Sequence, residues 1–261
     1  SGHGRRELMR PGVALAALIL AAVPAAAIAQ APPPVPVDLA QCPVDETTWI
    51  QRLPLDRARA AVAEGEISIL AIGSSSIEGA GASDRDLGFV PALQGELTAA
   101  LPGVAVTVHN KGIGGETAEG ASRRMAAMIA ETDPDLILWQ LSTNDVLQDR
   151  SEDQFLTDYR RGLDIIEDAE VDLVLIDSQV LPEDTANPSF QGKNPTLSER
   201  ARLIALEADR RGHPVSSRFA AMQAWTGVPD GGVGPDDLHL NDAGYACWAH
   251  MTAQPLAAAL K

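Results

Sequence analysis

Four short apolar runs alternate with helical patterns along most of this chain, and this alternation restricts the possible folds more than any other feature. The runs are 67–72 (ISILAI), 104–108, 136–141 (LILWQL) and 173–176 (LVLI). The helical patterns cover 89–100, 117–132, 152–169, 197–211, 216–225 and 242–260. Strands that are apolar on both faces are typical of a parallel sheet covered on both sides by helices. The sequence therefore predicts an α/β fold with a central parallel sheet.

The first residues have a different character. Arginines precede an apolar stretch from Val13 to Val23, and the small-residue sequence Ala27-Ile28-Ala29 follows it. A basic start, a short apolar stretch and a small-residue cleavage site are typical of a secretory signal peptide. A membrane anchor is the alternative, although the stretch is short for a span and Pro24 interrupts it. We therefore expect residues 1–29 to hold a signal peptide with upstream residues. The protein would then be exported, to the periplasm or outside the cell, without a stable membrane span after cleavage.

A proline-rich arm separates this segment from the regular part of the chain. Five prolines between residues 30 and 44 indicate an extended conformation. Residues 45–64 then carry a helical pattern that should stop at Gly65. The predicted organisation is therefore this arm and helix over 30–65, followed by one main domain over 66–261.

Charge and cysteine content narrow the possible partners. The formal net charge is −16 and no basic stripe is present, whereas nucleic-acid binding requires clustered Lys and Arg. We therefore predict that the protein does not bind nucleic acid. The chain has two cysteines, Cys42 and Cys247, which could form a disulfide or remain separate buried thiols. They are too few, and too far from other soft ligands, for a structural zinc site.

Small hydrogen-bonding residues follow three of the four apolar runs. They are Gly73-Ser74-Ser75-Ser76 after the first, Asn110 to Thr117 after the second, and Ser142-Thr143-Asn144-Asp145 after the third. Turns use the same residue types, so a single segment of this kind would carry little information. Ligands of open parallel sheets, however, bind beyond the carboxyl ends of the strands, where all three segments should meet. We therefore expect the functional site at this edge of the sheet.

The histidines provide a candidate base for this site, because a serine hydroxyl is a weak nucleophile without one. His239 stands just before the closing helical pattern, and Asp236 precedes it by three residues. This spacing lets the carboxylate reach one imidazole nitrogen and fix the tautomer. Asp237 is an alternative partner, although its side chain should point elsewhere in a turn. The residues alone do not choose a nucleophile among Ser74, Ser75 and Ser76.

Acyl transfer also requires hydrogen-bond donors for a developing oxyanion. Backbone N–H groups at a strand-to-helix turn and an Asn side chain can supply them, and Gly115 and Asn144 stand at such places. Phosphate-binding fingerprints are incomplete, because the third Gly of G-x-G-x-x-G is missing near Gly112 and no G-x-x-x-x-G-K follows a strand. A nucleotide-binding flavodoxin-like protein is therefore disfavoured.

Taken in order, these segments resemble the four blocks of the SGNH (GDSL-like) hydrolases. Gly73 to Gly79 is similar to the family's G-D-S-x-T-x-G, Asn110 to Thr117 to its second block, Ser142 to Asp145 to its G-x-N-D, and Asp236 to His239 to its D-x-x-H. The resemblance implies a three-layer α/β/α, flavodoxin-like fold with a central parallel sheet, and makes the main domain the catalytic one.

The resemblance also assigns roles. It implies Ser75 as nucleophile, His239 as base and Asp236 as its partner, with an oxyanion hole formed by Ser75, Gly115 and Asn144. Two positions depart from the family pattern. Ser74 replaces the usual Asp, which puts the hydrogen bonding of that loop in question. Ser142 replaces the usual Gly and adds a side chain near the rim, where it could narrow the pocket.

The implied function is that of an exported serine esterase that needs neither a cofactor nor a metal. The substrate would be a small-molecule or glycan ester, and the lack of a long apolar lid favours short acyl groups such as O-acetyl on carbohydrate. Loops 180–195 and 226–235 should border the site and set specificity. Two alternatives use the same residues or the same fold: an acyltransferase with the same triad, and a catalytically silent glycan-binding module.

Overall fold

The structure, a computed structural model, describes residues 1–2, 39, 42, 49–50, 55–225 and 228–261. Nearly all of the predicted signal peptide and proline-rich arm lie outside these residues. The chain divides into two compact units, Ser1–Pro32 and Pro33–Lys261, and the second carries all the elements named below. Among the described residues, none of the helices combines the length and the apolar character needed to cross a membrane.

One sheet forms the centre of the second unit. Its described strands are β1 (Trp49–Ile50), β2 (Glu66–Gly73), β3 (Ala105–Gly112), β4 (Leu136–Gln140), β5 (Asp172–Ile176) and β6 (Val215–Ser216). They lie in the order β1-β6-β5-β4-β2-β3. The five strands from β2 to β6 run parallel. The two-residue β1 adds an antiparallel edge, where Trp49 pairs with Ser216.

Helices connect the parallel strands. In the described part of the chain they are α1 (Asp56–Glu64), α2 (Ser75–Glu78), α3 (Phe89–Ala100), α4 (Ala118–Thr132), α5 (Thr143–Leu147), α6 (Glu152–Asp168), α7 (Asn194–Arg211), α8 (Arg218–Ala224) and α9 (Asp242–Leu260). Local signals set several of their ends. Ser151 and Gln154 form a capping box that begins α6, and Gly65 and Gly212 end α1 and α7 in the left-handed conformation.

Alternate residues of the central strands face two separate hydrophobic cores. On one face, Ile69 and Ala71 of β2 pack with buried residues of α1, α3 and α9. On the other face, Leu70 and Ile72 pack with buried residues of α4, α6 and α7. The period of two along a strand thus fills both sides of the sheet with apolar side chains. The predicted three-layer α/β/α fold with a central parallel sheet is confirmed.

The structure corrects the sequence prediction at the edge of the sheet. Residues 45–64 were expected to form one helical stretch, but Trp49–Ile50 is a strand and α1 begins only at Asp56. Pro54 disfavours a helical conformation at the residue before it, which the helical pattern alone did not weigh. The fifth parallel strand, Val215–Ser216, was not predicted, and its second residue fell within the helical pattern 216–225. The helix of that pattern, α8, begins at Arg218. Two residues are too few to show the alternation of side chains by which a strand is recognised in a sequence.

Candidate active site

Ser75 is the first residue of α2, directly after the turn that ends β2. At Gly73 a Cβ would lie 2.7 Å from the carbonyl oxygen of Gln140, so no side chain fits there between β2 and β4. The chain turns at Ser74, which is extended, and enters α2 at Ser75. Ser74 and Ser76 are buried, whereas Ser75 is half-buried. The turn therefore presents the hydroxyl of Ser75 at the carboxyl edge of the sheet.

His239 and Asp236 form a continuous chain of hydrogen bonds with Ser75. The Nε2 of His239 lies 2.9 Å from the Oγ of Ser75, and its Nδ1 lies 2.5 Å from the Oδ2 of Asp236. Burial raises the pKa of Asp236, but the hydrogen bonds from the His239 ring and from the N–H groups of His239 and Leu238 outweigh it and hold this pKa below its ordinary value. The carboxylate is therefore charged at neutral pH and accepts the Nδ1–H of His239.

Asp237, the alternative partner of His239, belongs to a different contact. Its Oδ2 accepts the hydroxyl of Thr185 at 2.8 Å. The backbone of Asp237 has a φ of 59°, in the left-handed region. Among the described contacts, Asp236 is the carboxylate that His239 meets.

The His239 segment, residues 234–240, packs closely on the loop after α2. Gly81 has a φ of 91°, and a Cβ on it would lie 2.6 Å from the Cβ of His239 and 2.5 Å from the carbonyl oxygen of Leu240. The N–H of Gly234 donates to the carbonyl of His239 at 2.7 Å. The absence of a side chain at Gly81 therefore lets His239 approach the serine loop.

Gln140 holds the serine loop, residues 73–76, by hydrogen bonds, and sequence reasoning missed this residue. Its Oε1 accepts both the N–H of Ser74, at 2.9 Å, and the hydroxyl of Ser74, at 2.8 Å. The hydrogen bonding that the Ser74 departure put in question is thus supplied by the last residue of β4. The signal in the sequence was a polar residue near the end of the apolar run 136–141. In the fold this residue is 2% exposed.

Gly115 lies in the loop between β3 and α4, and Asn144 lies in α5. Hydrogen bonds join that loop to α5 and to the residue after it. The Nδ2 of Asn144 donates to the carbonyl of Glu116 at 2.9 Å, which leaves one amide hydrogen for another acceptor. The Nε2 of Gln148 donates to the carbonyl of Gly115 at 2.8 Å. Gly115 is exposed and has a φ of 76°, a conformation that favours glycine. Sequence reasoning missed Gln148, for which no motif signal existed.

Asp145 of α5 bonds to the beginning of α4 through a buried carboxylate. Its oxygens accept the N–H of Ala118, the first residue of α4, at 3.1 and 3.3 Å. The Nε of Arg150 lies 3.3 Å from one of them. Burial raises the pKa of Asp145 to about 6, although the Ala118 N–H and Arg150 favour the charged form. The start of α4 is therefore tied to α5, the helix that carries Asn144.

Ser142 does not narrow the site as the sequence suggested. Its φ is 84°, so it keeps the left-handed conformation that glycine would adopt more easily. Its side chain is buried and hydrogen-bonded to the hydroxyl of Ser178, which in turn donates to the carbonyl of Leu197 at 3.2 Å. The extra side chain is thus bonded inside the fold, next to α7.

A cleft of about 750 Å³ lies beside the His239 segment. Its lining includes Val180–Asp184, from the predicted specificity loop 180–195, and five residues of the predicted loop 226–235, namely Asp230, Gly231, Val233, Gly234 and Pro235. Its lining includes Asp237 but neither Ser75 nor His239. Within the described residues, no three His, Cys, Asp or Glu side chains are grouped so that they could hold a metal ion.

Comparison with known proteins identifies what this arrangement is similar to. Residues 41–254 match the model of a family described as the non-GDSL lipase-like family. A search of curated protein sequences finds no significant match. The family description agrees with the predicted class of enzyme, a hydrolase of ester bonds.

Several solved structures share the fold. A two-domain esterase active on acetylated mannans, crystallised with mannopentaose, is 23% identical with a TM-score of 0.61; the match covers 78% of this chain and 52% of that one. This chain therefore spans about half the length of that esterase.

A lipase/acylhydrolase from Enterococcus faecalis is 19% identical with a TM-score of 0.60, over 74% of this chain and 96% of that one. A catalytic mutant of Axe2, an acetylxylan esterase from Geobacillus stearothermophilus, is 18% identical with a TM-score of 0.60, over 71% and 92%. At these identities the likeness shows a common fold. Together with the family match, it confirms the resemblance to SGNH (GDSL-like) hydrolases that the sequence motifs predicted.

Proposed function

The chain belongs to the non-GDSL lipase-like family, and from that premise we propose that it is a serine esterase with Ser75 as nucleophile. The single observation that carries this proposal is the hydrogen-bond chain from Ser75 through His239 to Asp236, with steps of 2.9 and 2.5 Å. A serine, a histidine and a carboxylate in this order are the arrangement that activates a hydroxyl for attack on an acyl group.

The proposed reaction follows from these contacts. His239 Nε2 takes the hydroxyl proton while the Oγ of Ser75 attacks the carbonyl carbon of the ester. Asp236 stabilises the resulting imidazolium through its bond to Nδ1. His239 then gives its proton to the leaving alcohol, which leaves an acyl group on Ser75. A water molecule, deprotonated by His239, attacks this acyl-enzyme, and the carboxylic acid leaves as Ser75 regains its proton.

Three donors are proposed for the oxyanion that forms in each step. They are the backbone N–H of Ser75, the backbone N–H of Gly115 and the second amide hydrogen of Asn144. Support comes from their availability: Ser75 begins its helix, where the N–H has no intrahelical acceptor, and Asn144 uses only one hydrogen on Glu116. Such preorganised donors act where charge develops, which is why they lower the barrier to acyl transfer.

The proposed substrate is a short-chain ester, with O-acetyl groups on carbohydrate as the preferred class. Support comes from the printed descriptions of two neighbours of the same fold, an esterase active on acetylated mannans and an acetylxylan esterase. The basic and apolar N-terminal residues support export, which would bring the protein to the compartment where such polysaccharides are found. Both points go beyond the family assignment and are proposals for this chain.

The test compares the protein from about residue 30, an endpoint taken from the signal-peptide pattern, with Ser75→Ala and with Ser76→Ala as a matched control. Turnover of p-nitrophenyl acetate and labelling by a fluorophosphonate should both disappear in Ser75→Ala and persist in Ser76→Ala. Peptide mapping should find the label on Ser75.

Other outcomes would contradict parts of the proposal. A label on Ser74 or Ser76 would keep the enzyme class and reject Ser75. A folded wild type with neither turnover nor label would reject the esterase and leave the glycan-binding module in its place. Transfer of acetyl to an added sugar, rather than release of acetate, would identify an acyltransferase.

A further inference from the structure

Gln179 is a buried amide beside the His239 segment, and the proposed chemistry does not use it. It lies just beyond β5 and is 1% exposed. Its Nε2 donates to the carbonyl of Leu238 at 2.6 Å, and its Oε1 accepts from Arg218 at 2.7 Å. Its own N–H donates to the hydroxyl of Thr143, in α5, at 3.3 Å. Gln179 therefore connects three separate parts of the chain.

The bond to Leu238 acts directly on the backbone of His239. The carbonyl of Leu238 and the N–H of His239 belong to one rigid peptide plane. Gln179 holds the carbonyl side of this plane, and the Oδ1 of Asp236 accepts its N–H at 2.9 Å. A plane held on both sides cannot rotate without losing a hydrogen bond. Its orientation determines the direction in which the imidazole of His239 leaves the main chain.

Arg218 determines which way the Gln179 amide faces. A guanidinium has only donors, so the amide oxygen must face Arg218 and the amide nitrogen must face the Leu238 carbonyl. Arg218 is 1% exposed, and its Cζ lies 4.3 Å from the centre of a Trp248 ring. Burial lowers the pKa of Arg218 to about 10, which leaves it charged at neutral pH.

Arg218 is itself held in place by hydrogen bonds at the beginning of α8. The carboxylate of Asp177 accepts the N–H of Phe219 at 3.0 Å and the hydroxyl of Ser217 at 2.7 Å. Ser217 in turn accepts the N–H of Ala220 at 3.1 Å and caps the helix. Arg218 stands in sequence between Ser217 and Phe219, the two residues that Asp177 holds. Because its backbone is fixed in this way, Arg218 offers Gln179 a cation in a fixed position.

We propose that Gln179, oriented by Arg218, is a positioning residue that keeps the Nε2 of His239 within hydrogen-bond distance of Ser75. It acts through the Leu238–His239 peptide and not by contact with the substrate. The inference deepens the proposed function and rests on the role of His239 stated there.

The test is Gln179→Glu, which keeps the size of the side chain and the acceptor toward Arg218. It replaces the donor that faces the Leu238 carbonyl with an oxygen. The kcat on p-nitrophenyl acetate should fall by roughly 10- to 100-fold, the scale that a small misplacement of a catalytic group produces. KM should stay within about twofold, because substrate binding is not altered. Amide hydrogen exchange at Leu238 and His239, measured by NMR, should become faster.

Gln94→Glu is the matched control. Gln94 lies in α3, and among the described residues its side chain bonds through Oε1, which accepts the N–H of Val108 at 2.9 Å. The control adds the same charge and keeps that acceptor, so kcat, exchange at His239 and thermal stability should stay at the wild-type level. If Gln179→Glu does not fold, Gln179→Met removes both hydrogen bonds without adding charge and should lower kcat in the same direction.

The outcomes separate this inference from the proposed function. A folded Gln179→Glu or Gln179→Met protein with wild-type kcat and wild-type exchange would overturn the inference. If the wild type itself shows no fluorophosphonate label, the proposed function fails. Exchange at Leu238 and His239 then still decides whether Gln179 holds this peptide, since faster exchange supports the contact and unchanged exchange rejects it.

Discussion

At the scale of single residues, three adjacent serines acquire three different environments from one turn. Ser74 bonds to Gln140, Ser75 meets His239, and Ser76 is buried in the fold. Their sequence context is the same, so residue type cannot separate them. The direction of each side chain depends on where β2 ends and α2 begins, and that point is set by the close contact at Gly73.

Ser142 permits a direct test of a backbone conformation. Ser142→Gly removes the hydrogen bond to Ser178 but relieves the positive φ, whereas Ser142→Ala removes the bond and keeps the positive φ. We expect the glycine variant to be more stable than the alanine variant by about 1 kcal/mol, since a Cβ is disfavoured in the left-handed region. Urea unfolding of the three proteins measures this difference. An alanine variant as stable as the glycine variant would show that the left-handed conformation of Ser142 costs nothing.

At the scale of elements, helices and strands pack at distances that particular residues permit. Gly162 of α6 lies against Trp139 of β4, and a Cβ on Gly162 would be 2.2 Å from the indole ring. The helix therefore approaches the sheet more closely than alanine would allow. The indole of Trp139 is fully buried in the core between α4, α6 and α7, so it has little room to move aside.

Gly162→Ala should therefore lower the free energy of unfolding by about 1–3 kcal/mol, the cost of overpacking a filled core. Gly95→Ala is the control, because Gly95 lies in α3 with nothing within 4 Å of a Cβ. Replacement there should raise the free energy of unfolding by about 0.5–1 kcal/mol, since alanine is the better helix former. The two variants are compared by chemical denaturation. Equal effects would show that the Trp139 contact does not limit the packing of α6.

At the scale of the whole molecule, a disulfide joins the two ends of the second unit. Cys42 and Cys247 are bonded, with their Cα atoms 5.3 Å apart and a sequence separation of 205. Both are buried, and Cys247 belongs to α9, which packs on the core shared with α1 and α3. Closing so long a loop restricts the unfolded chain more than the folded one.

Replacing both cysteines by alanine should lower the free energy of unfolding by roughly 2–5 kcal/mol. Adding dithiothreitol to the wild type should lower its Tm in the same direction and leave the Tm of the double variant unchanged. A thiol assay on the unfolded wild type should find no free cysteine before reduction. If reduction frees both thiols without changing Tm, the bond does not contribute to stability.

The sequence by itself determined the fold class, and the resemblance of its motifs predicted the members of the candidate site. Apolar strands that alternate with helical patterns leave few arrangements besides a covered parallel sheet, and the first four parallel strands lie where these patterns predicted them. The resemblance of the ordered motifs to the SGNH (GDSL-like) hydrolases implied Ser75, Gly115, Asn144, Asp236 and His239, whereas the residues alone left the choice among Ser74, Ser75 and Ser76 open.

Only the tertiary structure decided what holds those residues in place. Gln140, Gln148 and Gln179 each bond a backbone or side-chain group that is far away in sequence. An amide can pair with any donor or acceptor, so its type carries no information about its partner. The two-residue strands β1 and β6 likewise exist because they pair with neighbours, and not because of their own composition. Local patterns specify elements and chemistry, whereas contacts between distant residues arise only when the elements pack.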